Sequence, residues 1–258
     1  MAIAQKPKTP LQEEIHSKDT QLKELDEKIK AAEGNGALDG FLALHSDKQT
    51  TLESIIGNLS SIKNTSPESD STLSKQEKEV KNLEHKLKET ETCVQLTSQE
   101  TDFHQKLHTN LQPVKDDLND KLRVVIFDNY SQYNRYGQLT FNIQTNNGGM
   151  YIEGKPNEHG NQATFFSFET FWLPEQFGVW NLNHEYMHYL DGRFVKYGGF
   201  GHYDSHLVWW SEGLAEFIAK GNDNHKAFKL LTKTENADWP SLATIFATTY
   251  SDSADQIY

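Results

Sequence analysis

The run Asn183-His184-Glu185-Tyr186-Met187-His188-Tyr189-Leu190-Asp191-Gly192 decides how the rest of the chain is read. It contains the pattern H-E-x-x-H, with two histidines four residues apart. On an α-helix that spacing puts both on one face, so His184 and His188 can aim two imidazole nitrogens at one point where a metal ion could sit. Glu185 is rotated away from that axis, so its carboxylate can reach a water on the metal, which is the place of a general base. The flanking residues predict a helix, with Trp180, Met187 and Leu190 toward a core and Gly192 at the C-terminal cap.

Because H-E-x-x-H is short enough to arise by chance, a second signal is needed. It lies downstream in Leu207-Val208-Trp209-Trp210-Ser211-Glu212-Gly213-Leu214-Ala215-Glu216-Phe217-Ile218-Ala219-Lys220-Gly221. Here Glu212 and Glu216 are again four apart, on a helix whose apolar side is Leu214, Phe217 and Ile218 and which Gly221 ends. A tetrahedral catalytic zinc needs three protein ligands and one open position, and two His plus one Glu is a known solution, so Glu212 is the expected third ligand. Metal-bound imidazoles usually donate their other N–H to a carboxylate. Glu216, one turn beyond Glu212, is expected to do this for His184.

These two motifs, together with Asn146-Asn147-Gly148-Gly149-Met150-Tyr151-Ile152-Glu153-Gly154 upstream, resemble the catalytic domain of secreted bacterial collagenases of the Vibrio type. The resemblance runs from about Arg123 to the end of the chain. It implies a gluzincin-like (thermolysin-like) zinc peptidase fold, with His184, His188 and Glu212 on one zinc and Glu185 as base. It also implies that Gly149, Met150 and Tyr151 form the sheet edge to which an extended substrate adds as a strand. Glu153 matches a glutamate that helps bind calcium in clostridial relatives, with carbonyls from the loop after Gly192 as partners. In gluzincins a Tyr or His beyond the third ligand often donates to the oxyanion. The downstream tyrosines are Tyr250 and Tyr258. Relative to the family, the domain is expected to be C-terminally truncated.

Composition divides the 258 residues in two. Of 29 aromatic residues, only Phe41 and Phe103 precede residue 121, so residues 1–120 have little material for a large core and 121–258 have ample. The net charge of −12 is shared by both halves, which argues against a general nucleic-acid binder. A single cysteine, Cys93, excludes an internal disulfide. Met1 to Pro7 lack the apolar core of an export signal, and no run approaches a membrane span. By family resemblance the protein is secreted.

Residues 1–120 read as an all-α, heptad-containing segment. Its apolar stripes are Ile15, Leu22, Leu25 and Ile29; Leu52, Ile55, Ile56, Leu59 and Ile62; and Leu73, Val80, Leu83, Leu87 and Val94. Phe103, Leu107, Leu111, Val114 and Leu118 continue the helical period past a kink at Pro113. Such stripes suit a loose bundle or coiled coil, and so an oligomerisation or spacer module through which the chain self-associates, or else a marginal set of helices.

From Leu122 the texture becomes α+β. Strands are expected at Arg123–Phe127, Leu139–Ile143, Met150–Glu153 and Gln162–Glu169, and a helix at Asn129–Tyr136 with Tyr130, Tyr133 and Tyr136 as core. Pro174 marks the approach to the metal-binding helix. The expected activity is zinc-dependent endopeptidase action on collagen- or gelatin-type polypeptides. The alternative is a helical interaction or scaffold protein carrying a folded but inactive zinc-peptidase domain.

Overall fold

Thr9 opens the first helix with a reciprocal cap: its backbone N–H donates to Gln12 Oε1 at 2.9 Å, and its hydroxyl accepts from the Gln12 N–H at 3.4 Å. With Pro10 in the first helical position, helix α1 runs Pro10–Ala32. The computed structural model describes residues 9–32, 38–65, 70–170, 177–195, 206–233 and 239–252. Among them the elements continue as α2 (Leu38–Thr65), α3 (Asp70–Leu107), β1 (Arg123–Phe127), α4 (Tyr130–Phe141), β2 (Met150–Ile152), β3 (Thr164–Phe168), α5 (Leu182–Phe194), α6 (Val208–Lys220), α7 (His225–Lys233) and α8 (Leu242–Phe246). The architecture is α+β, mostly helical with a small sheet. No described helix is long and apolar enough to cross a membrane.

The chain divides into two compact units between Ser98 and Gln99. In the first, Leu22, Leu52, Ile55 and Leu59 form a buried cluster flanked by Ile15, Val80, Leu83 and Leu87. Eight residues of the apolar stripes read from sequence thus meet in one cluster. Pro67 and its neighbours 66–69 lie outside the described residues.

The second unit begins within the last turns of α3. Gln99 Nε2 donates to the Asn183 carbonyl at 2.6 Å, and the Tyr186 hydroxyl donates to Glu100 Oε2 at 2.7 Å. Phe103 is fully buried, and the His104 ring meets Phe194 edge-on at 4.6 Å. The helix stops at Leu107, so the period expected to continue past Pro113 does not do so. His108, Leu111 and Asp116 instead take left-handed backbone conformations, at φ 50°, 61° and 69°. The loop they shape is tied to the end of α5: Val114 N–H donates to the Arg193 carbonyl at 2.8 Å, and Arg193 Nη1 to the Asn119 carbonyl at 2.6 Å.

The sheet has three strands in the order β1-β3-β2, with β1 parallel and β2 antiparallel to β3. Every residue of the central strand β3 is buried. Tyr133 from α4 packs with Ile143, Phe166 and Phe168 beneath it. Of the three tyrosines expected in the core, only Tyr133 is there; Tyr130 and Tyr136 are exposed. The strand expected at Leu139–Ile143 is not formed. α4 runs through Phe141 and closes on Asn142, which is left-handed (φ 52°, ψ 39°) and donates its N–H to the Gln138 carbonyl. Asparagine tolerates that conformation better than most residues.

After β3 the chain returns to deliver α5 to the sheet. Trp180 N–H donates to the Phe168 carbonyl at 3.0 Å, and Ser167 Oγ to the Trp180 carbonyl at 2.5 Å. Trp180 lies outside the helix, which corrects its expected place on the helix's core face. Its indole covers Gly148 so closely that an added Cβ would lie 1.8 Å from Nε1. Pro174 lies outside the described residues.

Candidate metal centre

The H-E-x-x-H segment is helical, on α5. Both imidazoles point into the space between α5 and α6, their ring centroids 4.9 Å apart. Glu212, on α6, enters the same space: Oε2 lies 2.9 Å from His184 Nε2 and Oε1 3.7 Å from His188 Nε2. His184 and Glu212 are almost fully buried, at 4% and 3% exposure. One donor atom from each of His184, His188 and Glu212 lies within 4.8 Å of the others. Ligands about 2.1 Å from a tetrahedral zinc sit roughly 3.4 Å from one another, and the separations of 2.9 and 3.7 Å bracket that value. Two neutral-capable nitrogens and a carboxylate suit a divalent ion of zinc's kind, so the residues fit the group.

The electrostatics fit the same use. Burial opposes a charge on His184, but hydrogen bonds to Glu212 and Glu216 outweigh it and raise its pKa to about 9. His188 is lowered to about 4, chiefly by burial. Burial would raise Glu212, yet its contacts with His184, His188 and Tyr250 leave it below the usual carboxylate value. Glu216 Oε1 lies 3.3 Å from His184 Nδ1, on the other side of that ring from Glu212.

Glu185 is turned from this convergence toward the sheet edge. It receives Asn181 Nδ2 at 3.0 Å and the backbone N–H of Tyr151 on β2. Burial, the largest influence on it, raises its pKa above the ordinary value. Asn181 precedes α5 with φ 56° and does not cap it; its side chain is spent on Glu185.

Gly192 is not the cap of α5, which continues to Phe194. Its missing side chain makes room for Glu153, since an added Cβ would lie 2.6 Å from Glu153 Oε1. Phe217, expected on the apolar side of α6, is exposed. The Tyr250 hydroxyl donates to Glu212 Oε1 at 2.6 Å, while Tyr258 lies outside the described residues. So do residues 196–205, where the carbonyl partners proposed for Glu153 would fall.

Sequence reasoning missed Asn181, Ser211 (Oγ 3.3 Å from His188 Nδ1) and the Trp210–Asp191 contact. Asn181 reads as an ordinary helix-start residue, and no pattern signals the other two.

Two helices that bring two imidazoles and a carboxylate to one buried point beside a sheet edge define a centre of the metallopeptidase class. The sequence profile of the collagenase family, peptidase M9, matches residues 69–258, and the chain belongs to that family. It is 46% identical over 167 residues to a microbial collagenase of Vibrio alginolyticus, covering 64% of this chain and 20% of that protein. With a microbial collagenase of Vibrio parahaemolyticus it is 40% identical over 168 residues, again 64% and 20%. With collagenase ColA of Bacillus cereus it is 39% identical over 108 residues, 39% of this chain and 10% of that protein. The chain thus spans about a fifth of the length of its Vibrio relatives.

Proposed function

We propose that the unit from Gln99 onward is a gluzincin-like, zinc-dependent endopeptidase acting on collagen- or gelatin-type polypeptides. The observation that carries this reading is the convergence of His184, His188 and Glu212, with Glu185 beside them and bonded to the backbone of β2. His184, His188 and Glu212 would hold the ion, with Glu216 orienting the His184 ring. Bound there, zinc would supply Lewis acidity to the scissile carbonyl and lower the pKa of a nearby water.

The remaining chemistry belongs to the chain's own groups. Glu185 takes the proton of the attacking water and passes it to the leaving amine, and a pKa raised by burial makes it better matched to that transfer near neutral pH. Asn181 and the Tyr151 N–H hold its carboxylate facing the sheet edge. Among the described residues β2 is the edge strand of the sheet, so a substrate strand would run along Gly149, Met150 and Tyr151 by main-chain groups other than the Tyr151 N–H, which Glu185 takes. Tyr250 is the oxyanion donor in this reading, supported by the reach of its hydroxyl to Glu212. Glu153 is retained as a calcium ligand, since hard cations take carboxylate and carbonyl oxygens.

Metal analysis with gelatin hydrolysis, on the intact chain and on Glu185→Ala, tests the reading. One zinc per chain in both proteins, with turnover lost only in the variant, is expected. Zinc without hydrolysis in the intact chain would support the scaffold alternative instead.

A further inference from the structure

Three consecutive residues of α6 each meet a different turn of α5. The Trp210 indole N–H donates to both carboxylate oxygens of Asp191, each at 3.2 Å. Ser211 Oγ stands 3.3 Å from His188 Nδ1, and Glu212 Oε2 2.9 Å from His184 Nε2. Residues 184, 188 and 191 follow one face of α5. The first two carry the metal-facing nitrogens; Asp191 takes no part in that convergence, yet it is only 8% exposed. A carboxylate so removed from solvent is costly unless hydrogen-bond donors meet it, and Trp210 supplies one from the opposite helix. The neighbouring Trp209 packs elsewhere, its ring 4.8 Å from that of Phe246.

Apolar contacts between helices are non-directional and tolerate small slips or rotations, whereas a hydrogen bond weakens steeply when bent or stretched. A metal centre tolerates little error, because ligand distances must hold to within about 0.2 Å. Among the described residues, Glu212 is the one member of the His184, His188 and Glu212 group not carried by α5, so its place depends on the register of α6. Trp210 lies two residues before it and Asp191 three residues after His188, so a bond between them constrains the register beside the centre. We propose that the Asp191–Trp210 hydrogen bond is the register pin of the metal centre, making both positioning residues that set Glu212 opposite His184 and His188. The inference rests on the zinc reading above.

Zinc affinity, measured on the intact chain by competition with a chromophoric chelator, tests it. Trp210→Phe keeps most of the ring and loses the N–H; Asp191→Ala removes the acceptor from the other helix; Asp191→Asn keeps a side-chain oxygen that can accept. Thr145→Val is the control, since it removes a buried hydroxyl bonded to Asn134 on α4, away from the α5–α6 contact. Trp210→Phe and Asp191→Ala are expected to weaken zinc binding by roughly 10- to 100-fold, with Asp191→Asn close to the parent and Thr145→Val unchanged in affinity even where its melting temperature falls. Circular dichroism checks that each variant is folded, and if one of the two unfolds, the other reads the same bond from the opposite helix. Parent-like affinity in the folded variants would overturn the pin while leaving the zinc reading intact. A parent chain that takes up no zinc would overturn both.

Discussion

Glu216 Oε1 lies 3.3 Å from Nδ1 of His184, the ring nitrogen turned away from Glu212. The same carboxylate is gripped by Lys220 Nζ at 2.8 and 2.6 Å and reached by Asn224 Nδ2 at 3.2 Å. Burial works against its charge, but His184 and Lys220 hold its pKa down to about 2, so it meets the imidazole as an anion. Glu216→Gln is therefore expected to weaken metal affinity by about 10- to 100-fold without removing a ligand, and excess zinc should restore occupancy. If the variant cannot be refilled, Glu216 is itself a ligand.

Replacing a metal-facing residue is expected to act differently. His184→Ala, His188→Ala and Glu212→Ala should each leave well under one zinc per chain after dialysis, as measured by atomic absorption. Full occupancy in Glu212→Ala would remove that residue from the ligand set.

Chelator-stripped protein should be most stable near the pKa of an ordinary histidine, 6.5. His184 is raised to about 9, so the folded state holds that proton more tightly than the unfolded chain. Its contribution is complete below pH 6.5 and is lost as pH rises through 9. His188, lowered to about 4, contributes above 6.5 and loses that contribution as pH falls through 4. Glu216, lowered from 4.5 to about 2, extends the acid loss. Melting temperatures across both limbs should trace a maximum, and His184→Ala should flatten the alkaline side. A melting temperature that climbs steadily through pH 9 would contradict this.

Gly148→Ala is expected to destabilise the second unit by about 1–3 kcal/mol, the usual cost of overpacking. The new Cβ would meet the Trp180 indole at 1.8 Å, and a rigid ring just before α5 cannot yield as a flexible side chain would. Chemical denaturation measures the loss. An unchanged midpoint would mean that Trp180 moves aside at no cost.

Gelatin should be cleaved well and native collagen below its melting temperature poorly. A triple helix packs three chains around a glycine axis, whereas β2, the edge strand among the described residues, can pair with one extended strand. Comparable rates on the two substrates would show that this unit opens the triple helix by itself.

His184, His188 and Glu212, which converge at the candidate metal centre, were legible as candidates because the spacing within each pair is local. Two histidines, and then two glutamates, four residues apart share a helix face wherever that helix is placed. Strands β1 and β3 were legible from short apolar runs, Val124 to Phe127 and Phe165 to Phe168, although only β3 is buried and β1 is half-buried. The same logic failed at Leu139–Ile143, where apolar and polar residues alternate as in a strand. There the hydrogen bonds of α4 continue to Phe141, and the Asn142 turn brings Ile143 back into the core.

The sequence by itself determined which residues could form a metal centre, because periodicity and side-chain chemistry are properties of neighbouring residues. Only the tertiary structure decided what surrounds that centre. Tyr151 on Glu185, Trp210 on Asp191, Glu100 beneath Tyr186 and Glu153 against Gly192 join residues whose partners depend on how separate elements pack. Gly192 shows the difference most plainly. Read locally, a glycine near a helix end is a cap; in the fold it lies inside α5, where the lack of a Cβ leaves room for a carboxylate carried in just beyond β2.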